Sequence, residues 1–404
     1  MAPRPASPAV LLILLCVAVV LVNLSVLMLG PLLVPLAHEF RTSVALVGQL
    51  AAATAITWGI TAPLAGPVSD AYGRRQMLLI GLLLMALGIL GAILAWNYSS
   101  LLAFRLLTGV GAAMVPPNSI AAIADVFPPT ERGKAIGWLV SATGISAAVG
   151  VPFVAFLFGA GGWRLPFAVV GTASLVIWVF LWFWFPRSQQ LGQALAFFSH
   201  YREVSSHVMF WYVLGANMFQ QMVFFGMFAY LATYLMQTYH LPTPATALPL
   251  ALAGVGVIVG GFLGGRVADH PRRVALFALS CWGSGLLAAL VFTAQVSPWV
   301  TVALAFGVAA LARISSAVTP TLLLELAGNS RTTATGLFAV SNQLGVFGGA
   351  SLGGLMLALG GFPQVGLFCL GVSVIAAVVI QLKVRDSAAF LAQMALRKGA
   401  TATE

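Results

Sequence analysis

Long apolar runs alternate with short polar segments along the whole chain. Twelve of these runs are about 20 residues or longer, the length that an α-helix needs to cross the hydrocarbon of a bilayer. The first run, from residue 9 to about residue 30, is longer than the apolar core of a signal peptide, which has about 7–15 residues. The others lie at 45–67, 76–96, 101–124, 134–158, 165–185, 208–237, 246–266, 273–294, 298–324, 333–359 and 363–382. The pattern predicts an all-α polytopic membrane protein with twelve transmembrane helices, here called helix one to helix twelve.

The longest polar interruption divides the chain between helix six and helix seven. The predicted organisation is an N-terminal tail (1–8), a six-helix bundle (9–185), a linker (186–207), a second six-helix bundle (208–382) and a C-terminal tail (383–404). Phe197, Phe198 and Tyr201 leave two alternatives for the linker, a short interfacial helix or a flexible connector.

The composition agrees with a membrane protein, because 60% of the residues are hydrophobic and 7% are charged. Soluble domains carry about 25% charged residues. The net charge of +10 is explained by topology: if the N-terminus is cytoplasmic, fifteen of the nineteen Lys and Arg residues lie in cytoplasmic segments, and only Arg41 and Arg164 lie in outer loops. The positive-inside rule therefore predicts a multi-pass protein of the bacterial inner membrane with both termini in the cytoplasm, and no nucleic-acid partner.

A charged loop between helices two and three is repeated, one residue shorter, between helices eight and nine. The first loop reads Gly66-Pro-Val-Ser-Asp70-Ala-Tyr-Gly73-Arg74-Arg75, and the second reads Gly265-Arg-Val-Ala-Asp269-His-Pro-Arg272-Arg273. The first loop resembles the G-x-x-x-D-x-x-G-R-[KR] signature of the major facilitator superfamily, in particular its twelve-helix drug and sugar efflux branch. The resemblance implies two pseudo-symmetric six-helix bundles that transport a small molecule by alternating access.

The same resemblance implies a gating cluster at the cytoplasmic helix ends. The predicted gating residues are Gly66, Asp70, Gly73, Arg74, Asp125, Asp269 and Arg273. In relatives, the carboxylate that ends helix four meets the first arginine of the signature loop. The loop aspartate meets the start of helix eleven, here Thr332 and Thr333. Such charge contacts between the halves would stabilise the outward-facing state and break when the cytoplasmic side opens. The alternative is a set of solvated loop charges.

Two arginines lie within predicted helices, where a charge is costly unless it is paired or faces water. Arg105 stands in an R-x-x-x-G pattern that resembles helix four of the family, and Arg313 lies about midway along helix ten. Arg105 either serves transport or bonds backbone carbonyls of a neighbouring helix. Arg313 either holds an anionic substrate group in a wet cavity or bonds carbonyls left without partners around Pro320.

Neutral amides supply further candidate ligands. Asn217 and Gln221 share one face of helix seven at i, i+4, among aromatic and methionine residues. The predicted substrate-binding residues are Asn23, Arg105, Asn118, Asn217, Gln221, Arg313 and Asn342. The alternative for each amide is a hydrogen bond between helices.

The acidic residues bear on proton coupling. Helix one has Asn23 and Ser25 where many proton-coupled exporters of the family place an acid, and none of the nine acids lies at the predicted midplane. Proton coupling would therefore use Asp125 or Glu325, near cytoplasmic helix ends. Uncoupled or exchange transport of an organic anion by Arg105 and Arg313 is the rival mechanism.

Helix five favours export, because Gly144, Gly150 and Pro152 are similar to the glycine-proline motif of the family's drug exporters. The sequence thus predicts a secondary transporter that exports a drug-like compound or sugar, with a proton-exchange mechanism as one alternative. The expected partners are a small-molecule substrate, the lipid bilayer and, for antiport, protons; a monomer is expected to suffice. No motif indicates an enzyme, a cofactor or a metal site. A membrane sensor of the same fold is a further alternative.

Overall fold

The computed structural model describes residues 7–185, 208–326 and 331–385, and all structural statements below concern these residues. The linker at 186–207, with its two alternatives, lies outside them. Ten of the described helices are long and apolar enough to cross a membrane. The fold nevertheless has the twelve predicted spans, because one long helix contains two of them and another span is divided into shorter helices.

The first six spans, α1 to α6, form the N-half. They are α1 (Pro8–Leu27 and Leu29–Glu39, joined at Met28), α2 (Val44–Tyr72), α3 (Arg74–Ile93), α4 (Tyr98–Val126), α5 (Pro129–Ile145, a π-helical turn at Ser146–Gly150, and Val151–Gly161) and α6 (Arg164–Trp184). Because the π-helical turn divides α5, this span contains no single continuous α-helix that is long enough to cross a membrane.

The last six spans, α7 to α12, form the C-half. They are α7 (Val208–Thr238), α8 (Ala247–Ala268, preceded by a 3₁₀ turn at Thr243–Thr246), α9 (Arg273–Thr293), α10 (Pro298–Leu326), and α11 and α12, the two parts of Arg331–Lys383. The long helix is divided at Gly360 and Gly361, whose backbone angles are not helical. Gly361 has φ 72°, in the left-handed region that favours glycine.

The second glycine of the signature loop has a backbone role. Gly73 has φ 95° and separates the end of α2 at Tyr72 from the start of α3 at Arg74. A Cβ atom at Gly73 would meet no other atom within 4 Å, so glycine is needed there for its backbone conformation. We call the end of the bundle that carries residues 66–75 and 265–273 the loop side, and the opposite end the far side.

The two halves are in close contact on the far side. Tyr230 of α7 is fully buried, and its hydroxyl donates a hydrogen bond to the carbonyl of Ala350 at 2.7 Å. A Cβ atom at Gly48 of α2 would lie 2.3 Å from the Tyr230 Oη, so only glycine permits this approach. Beside it, Gln49 Nε2 donates to the carbonyl of Ser351 at 3.2 Å and links α2 to α11. These five residues form what we call the far-side contact.

The hydrophobic core of the described residues is divided into two parts. One hydrophobic core joins both halves through the far side, whereas the loop-side end of the C-half has a separate core made only of its own described residues, among them Phe210, Phe277 and Leu322. On the loop-side half of α2, Ile60 and Leu64 are 64% and 48% exposed. The described contacts therefore close the bundle on the far side.

Candidate functional site

Polar side chains from three helices of the C-half meet near the middle of the bundle. Arg313 of α10 donates from Nη2 to Gln221 Oε1 of α7 at 3.1 Å, and its Cζ lies 4.0 Å from the centroid of the Phe224 ring. Asn342 Oδ1 of α11 accepts from Gln221 Nε2 at 3.0 Å and from Asn217 Nδ2 at 2.7 Å. We call these five residues the arginine–amide cluster.

The cluster carries a positive charge that no described carboxylate balances. Gln221 and the face of the Phe224 ring are neutral partners, and Arg313 Nε is buried without a hydrogen-bond partner. Asn217 Oδ1 is also buried without a partner. An isolated charge deep in a membrane protein costs several kcal/mol unless it reaches water or a counter-charge, and Arg313 is half-buried. The arrangement is therefore suited to a ligand that brings a negative group.

Four of the seven predicted substrate-binding residues meet in this cluster: Asn217, Gln221, Arg313 and Asn342. The alternative in which Arg313 bonds carbonyls around Pro320 is wrong, since its partners are Gln221 and Phe224. The two amides of α7 do bond across helices, as their alternative stated. These bonds belong to the same cluster as Arg313, and the role of the two amides as substrate ligands stays a prediction.

The other three predicted binding residues lie elsewhere. Arg105 is fully buried and donates from Nη2 to the carbonyl of Ser25 at 2.7 Å, while its Nε and Nη1 are buried without partners. Asn23 donates to the carbonyl of Val19 in its own helix. Asn118 is 2% exposed, accepts from the Ser69 hydroxyl, and donates to a carbonyl of its own helix. These residues bond within the N-half and do not join the arginine–amide cluster.

Sequence reasoning did not select Phe224. Its ring supports the guanidinium of Arg313, and it lies three residues after Gln221 on one face of α7. Ser341 was also missed: its hydroxyl accepts from Asn217 Nδ2 at 2.8 Å. A helical-face analysis of α7 could have found Phe224, but the pairing with Ser341 depends on the packing of α7 against α11.

Two ion pairs occupy equivalent places on the loop side of the two halves. Arg74 Nη1 lies 2.5 Å from Asp125 Oδ1, and Arg273 meets Glu325 through two hydrogen bonds of 2.7 Å each. The partners are 51 residues apart in the N-half and 52 in the C-half. The Arg273 side chain is 1% exposed, and Asp125 is 51% exposed. Both pairs link the start of one helix to the end of a neighbouring helix in the same half.

The structure locates part of the predicted gating cluster. Arg74 and Asp125 form the expected pair, and both belong to the N-half, so this contact does not itself join the two halves. Gly66 lies within α2, and Asp269 is an exposed residue at the end of α8. The side chains of Asp70, Thr332 and Thr333 lie outside the described part of the structure, so the contact between halves stays a prediction.

The two candidate proton carriers are Asp125 and Glu325. In this conformation both carboxylates bond arginines at the loop side, well away from the arginine–amide cluster. Using either one as a carrier would require its ion pair to open during transport.

An apolar cavity lies between the two halves, next to the far-side contact. Its volume is about 20 Å³, which is room for about one water molecule. The lining consists of Val26, Leu27, Leu29, Gly30, Leu33, Gly48, Ala51, Phe225, Phe228, Ala229, Val346 and Ala350. No side chain in this lining carries a polar group.

A twelve-helix membrane fold in two halves, with a cationic site at mid-depth, is that of a secondary transporter. The Major Facilitator Superfamily profile matches residues 15–272 and 245–393, and the chain belongs to this family. The 3-(3-hydroxy-phenyl)propionate transporter of Escherichia coli (strain K12) is 28% identical over 73% of this chain and 73% of its own. Multidrug resistance protein 2 of Bacillus subtilis (strain 168) is 28% identical over 84% and 88%.

Among solved structures, a bacterial homologue of the human lysosomal transporter Spinster, in an inward-facing and occupied conformation, has the same fold. Its TM-score is 0.78 at 19% identity, over 94% of this chain and 97% of that one. The expectation of a major facilitator fold is thus confirmed.

Proposed function

We propose that this protein carries a small organic anion across the membrane by alternating access, with the anionic group held by Arg313. One observation supports this choice most directly. The arginine–amide cluster has a half-buried guanidinium at mid-depth, with only neutral partners among the described residues. A charge-assisted hydrogen bond from an anion would replace the missing counter-charge.

The comparisons are compatible with an anionic substrate. The relative named for 3-(3-hydroxy-phenyl)propionate aligns with 73% of this chain, and that compound is a carboxylate. The identity of 28% supports a related chemistry without defining the substrate of this chain.

The predicted topology assigns the two ends of the bundle to the two sides of the membrane. Since the positive-inside rule places the loop side in the cytoplasm, the closed far side is the outer side, as an inward-facing state requires. Alternating access would then separate the far-side contact between Gly48 and Tyr230 and bring the loop-side ends together.

Binding measurements on Arg313 variants test the proposal. The probes are 3-phenylpropionate and its uncharged amide, titrated by calorimetry into the purified full-length protein. Arg313→Gln should weaken binding of the carboxylate by about tenfold or more, because one charge-assisted interaction contributes about 1.5–3 kcal/mol. Binding of the amide should change by less than about twofold.

Arg313→Lys keeps the charge and provides a second variant if glutamine impairs folding; it should bind the carboxylate with intermediate affinity. Arg266→Gln, at an exposed position of α8, is the matched control and should behave as wild type. Equal effects of Arg313→Gln on the carboxylate and the amide would overturn the proposal.

A second candidate is proton-coupled export of a drug-like compound or sugar. It is favoured by the glycine-rich α5 and by the alignment of 84% of the chain with Multidrug resistance protein 2. In this case Asp125 or Glu325 would carry the proton after its ion pair opens. Movement of protons with a cationic or neutral compound would favour this candidate.

A further inference from the structure

We infer that the substrate anion has an aromatic body, and that its ring rests against Phe225 while its carboxylate meets Arg313. The substrate class is therefore an arylalkyl carboxylate rather than a polyhydroxylated sugar acid. This inference rests on the proposed function, since it assumes that Arg313 receives the anionic group.

Three phenylalanines extend from the guanidinium towards the cavity between the halves. The Phe224 ring, which lies under Arg313, contacts Phe225 edge to face with a centroid distance of 5.1 Å, and Phe228 at 4.7 Å. Phe224 and Phe228 are 3% and 5% exposed, whereas Phe225 is half-buried. Phe225 is thus the least buried of the three rings beside the Arg313 guanidinium.

The geometry of Arg313 determines where a carboxylate can bind. Phe224 covers one face of the guanidinium, so a carboxylate is received in the guanidinium plane, through its N–H edge. Phe225 contacts Phe224, which in turn contacts Arg313, so one ring separates Phe225 from the guanidinium. A short alkyl chain between a carboxylate and a ring can span this separation, and aromatic rings pair favourably edge to face or offset.

The apolar cavity favours a substrate that is apolar beyond its carboxylate. Phe225 and Phe228 belong to its lining, which offers no hydrogen-bonding side chain. A sugar-like body placed there would bury several hydroxyl groups without hydrogen-bond partners, which weakens binding. A ring has no such cost. The cavity is small in this conformation, so the ring contacts Phe225 at its edge and can move deeper only when the far-side contact opens.

Affinity measurements with four probes test the inference on the purified full-length protein. The probes are 3-phenylpropionate, butyrate, gluconate and the uncharged 3-phenylpropanamide. Wild-type protein should bind 3-phenylpropionate at least about tenfold more tightly than butyrate or gluconate, because burial of a ring is worth more than about 1.4 kcal/mol. Phe225→Leu, which keeps an apolar side chain but removes the ring, should weaken 3-phenylpropionate by about fivefold.

Butyrate binding should change by less than about twofold in Phe225→Leu, since that probe lacks a ring. Phe225→Tyr should restore most of the affinity for 3-phenylpropionate. Phe156→Leu is the matched control, because Phe156 is 62% exposed on the outside of α5; it should match wild type.

The outcomes separate this inference from the proposed function. If Phe225→Leu leaves the affinity for 3-phenylpropionate unchanged, or if gluconate binds as tightly, the aromatic class is overturned. In that case a selective loss of anions in Arg313→Gln would still support the proposed function. If Arg313→Gln affects 3-phenylpropionate and its amide equally, both proposals are overturned.

Discussion

Arg105 and Arg313 are both arginines within membrane spans, but their surroundings differ. Arg105 is fully buried and bonds one backbone carbonyl, that of Ser25, with two nitrogens left without partners. Arg313 is half-buried and bonds Gln221 and the Phe224 ring. Arg313, the less buried of the two, is the better candidate for substrate contact, and Arg105 is the better candidate for holding α4 against α1.

Removing one partner of the buried C-half ion pair should be costly. Glu325→Gln removes the carboxylate charge that accepts two hydrogen bonds from Arg273, whose side chain is 1% exposed, and we expect the free energy of unfolding to fall by about 3 kcal/mol. The measurement is thermal unfolding of the purified protein.

Glu39→Gln is the matched control, because Glu39 pairs with Arg164 at 3.0 Å where both side chains are more than 40% exposed. Its effect should stay below about 1 kcal/mol. Equal shifts in the melting temperature of the two variants would contradict a stabilising role for the buried pair.

At the scale of helices, adjacent glycines of α8 have different surroundings. A Cβ atom at Gly260 would lie 2.2 Å from the carbonyl oxygen of Ala310 in α10, whereas one at Gly261 would meet no atom within 4 Å. Close approach of helices in a membrane depends on such small residues. Only the first glycine is therefore required for packing.

Alanine substitutions at these two positions provide a direct test. Gly260→Ala should force α8 and α10 apart and lower the melting temperature by several degrees, in keeping with a cost of about 1–3 kcal/mol for overpacking. Gly261→Ala should leave it unchanged or slightly higher, because alanine favours the helix. The same loss of stability in both variants would show that the packing of α8 is not as described.

Much of this architecture could be predicted from the sequence. The apolar runs revealed the spans because their length is determined by the bilayer, and the proximity of Asn217 and Gln221 followed from helical spacing. Contacts between distant helices could not be predicted in this way. The support of Arg313 by Phe224 and the pairing of Arg273 with Glu325 both depend on how helices rotate and pack.

At the scale of the whole molecule, Tyr230 fits between α2 and α11 only because Gly48 and Gly354 lack side chains. This contact closes the far side, and the arginine–amide cluster lies between the far side and the loop side. Each of the two loop-side ion pairs joins two helices of the same half and so stabilises that half. Under the proposed alternating-access mechanism, movement between the halves makes and breaks the far-side contact.

The most direct test of the central claim is counterflow into proteoliposomes of two permanently charged probes, 2-phenylethanesulfonate and phenethyltrimethylammonium, with a pH dye inside the vesicles. Permanent charge prevents passive entry of a neutral form. The account predicts that wild-type protein exchanges the sulfonate without a pH change, that Arg313→Gln loses this exchange, and that the ammonium probe does not move. Transport of the ammonium probe with a pH change, and none of the sulfonate, would contradict the account and favour proton-coupled export.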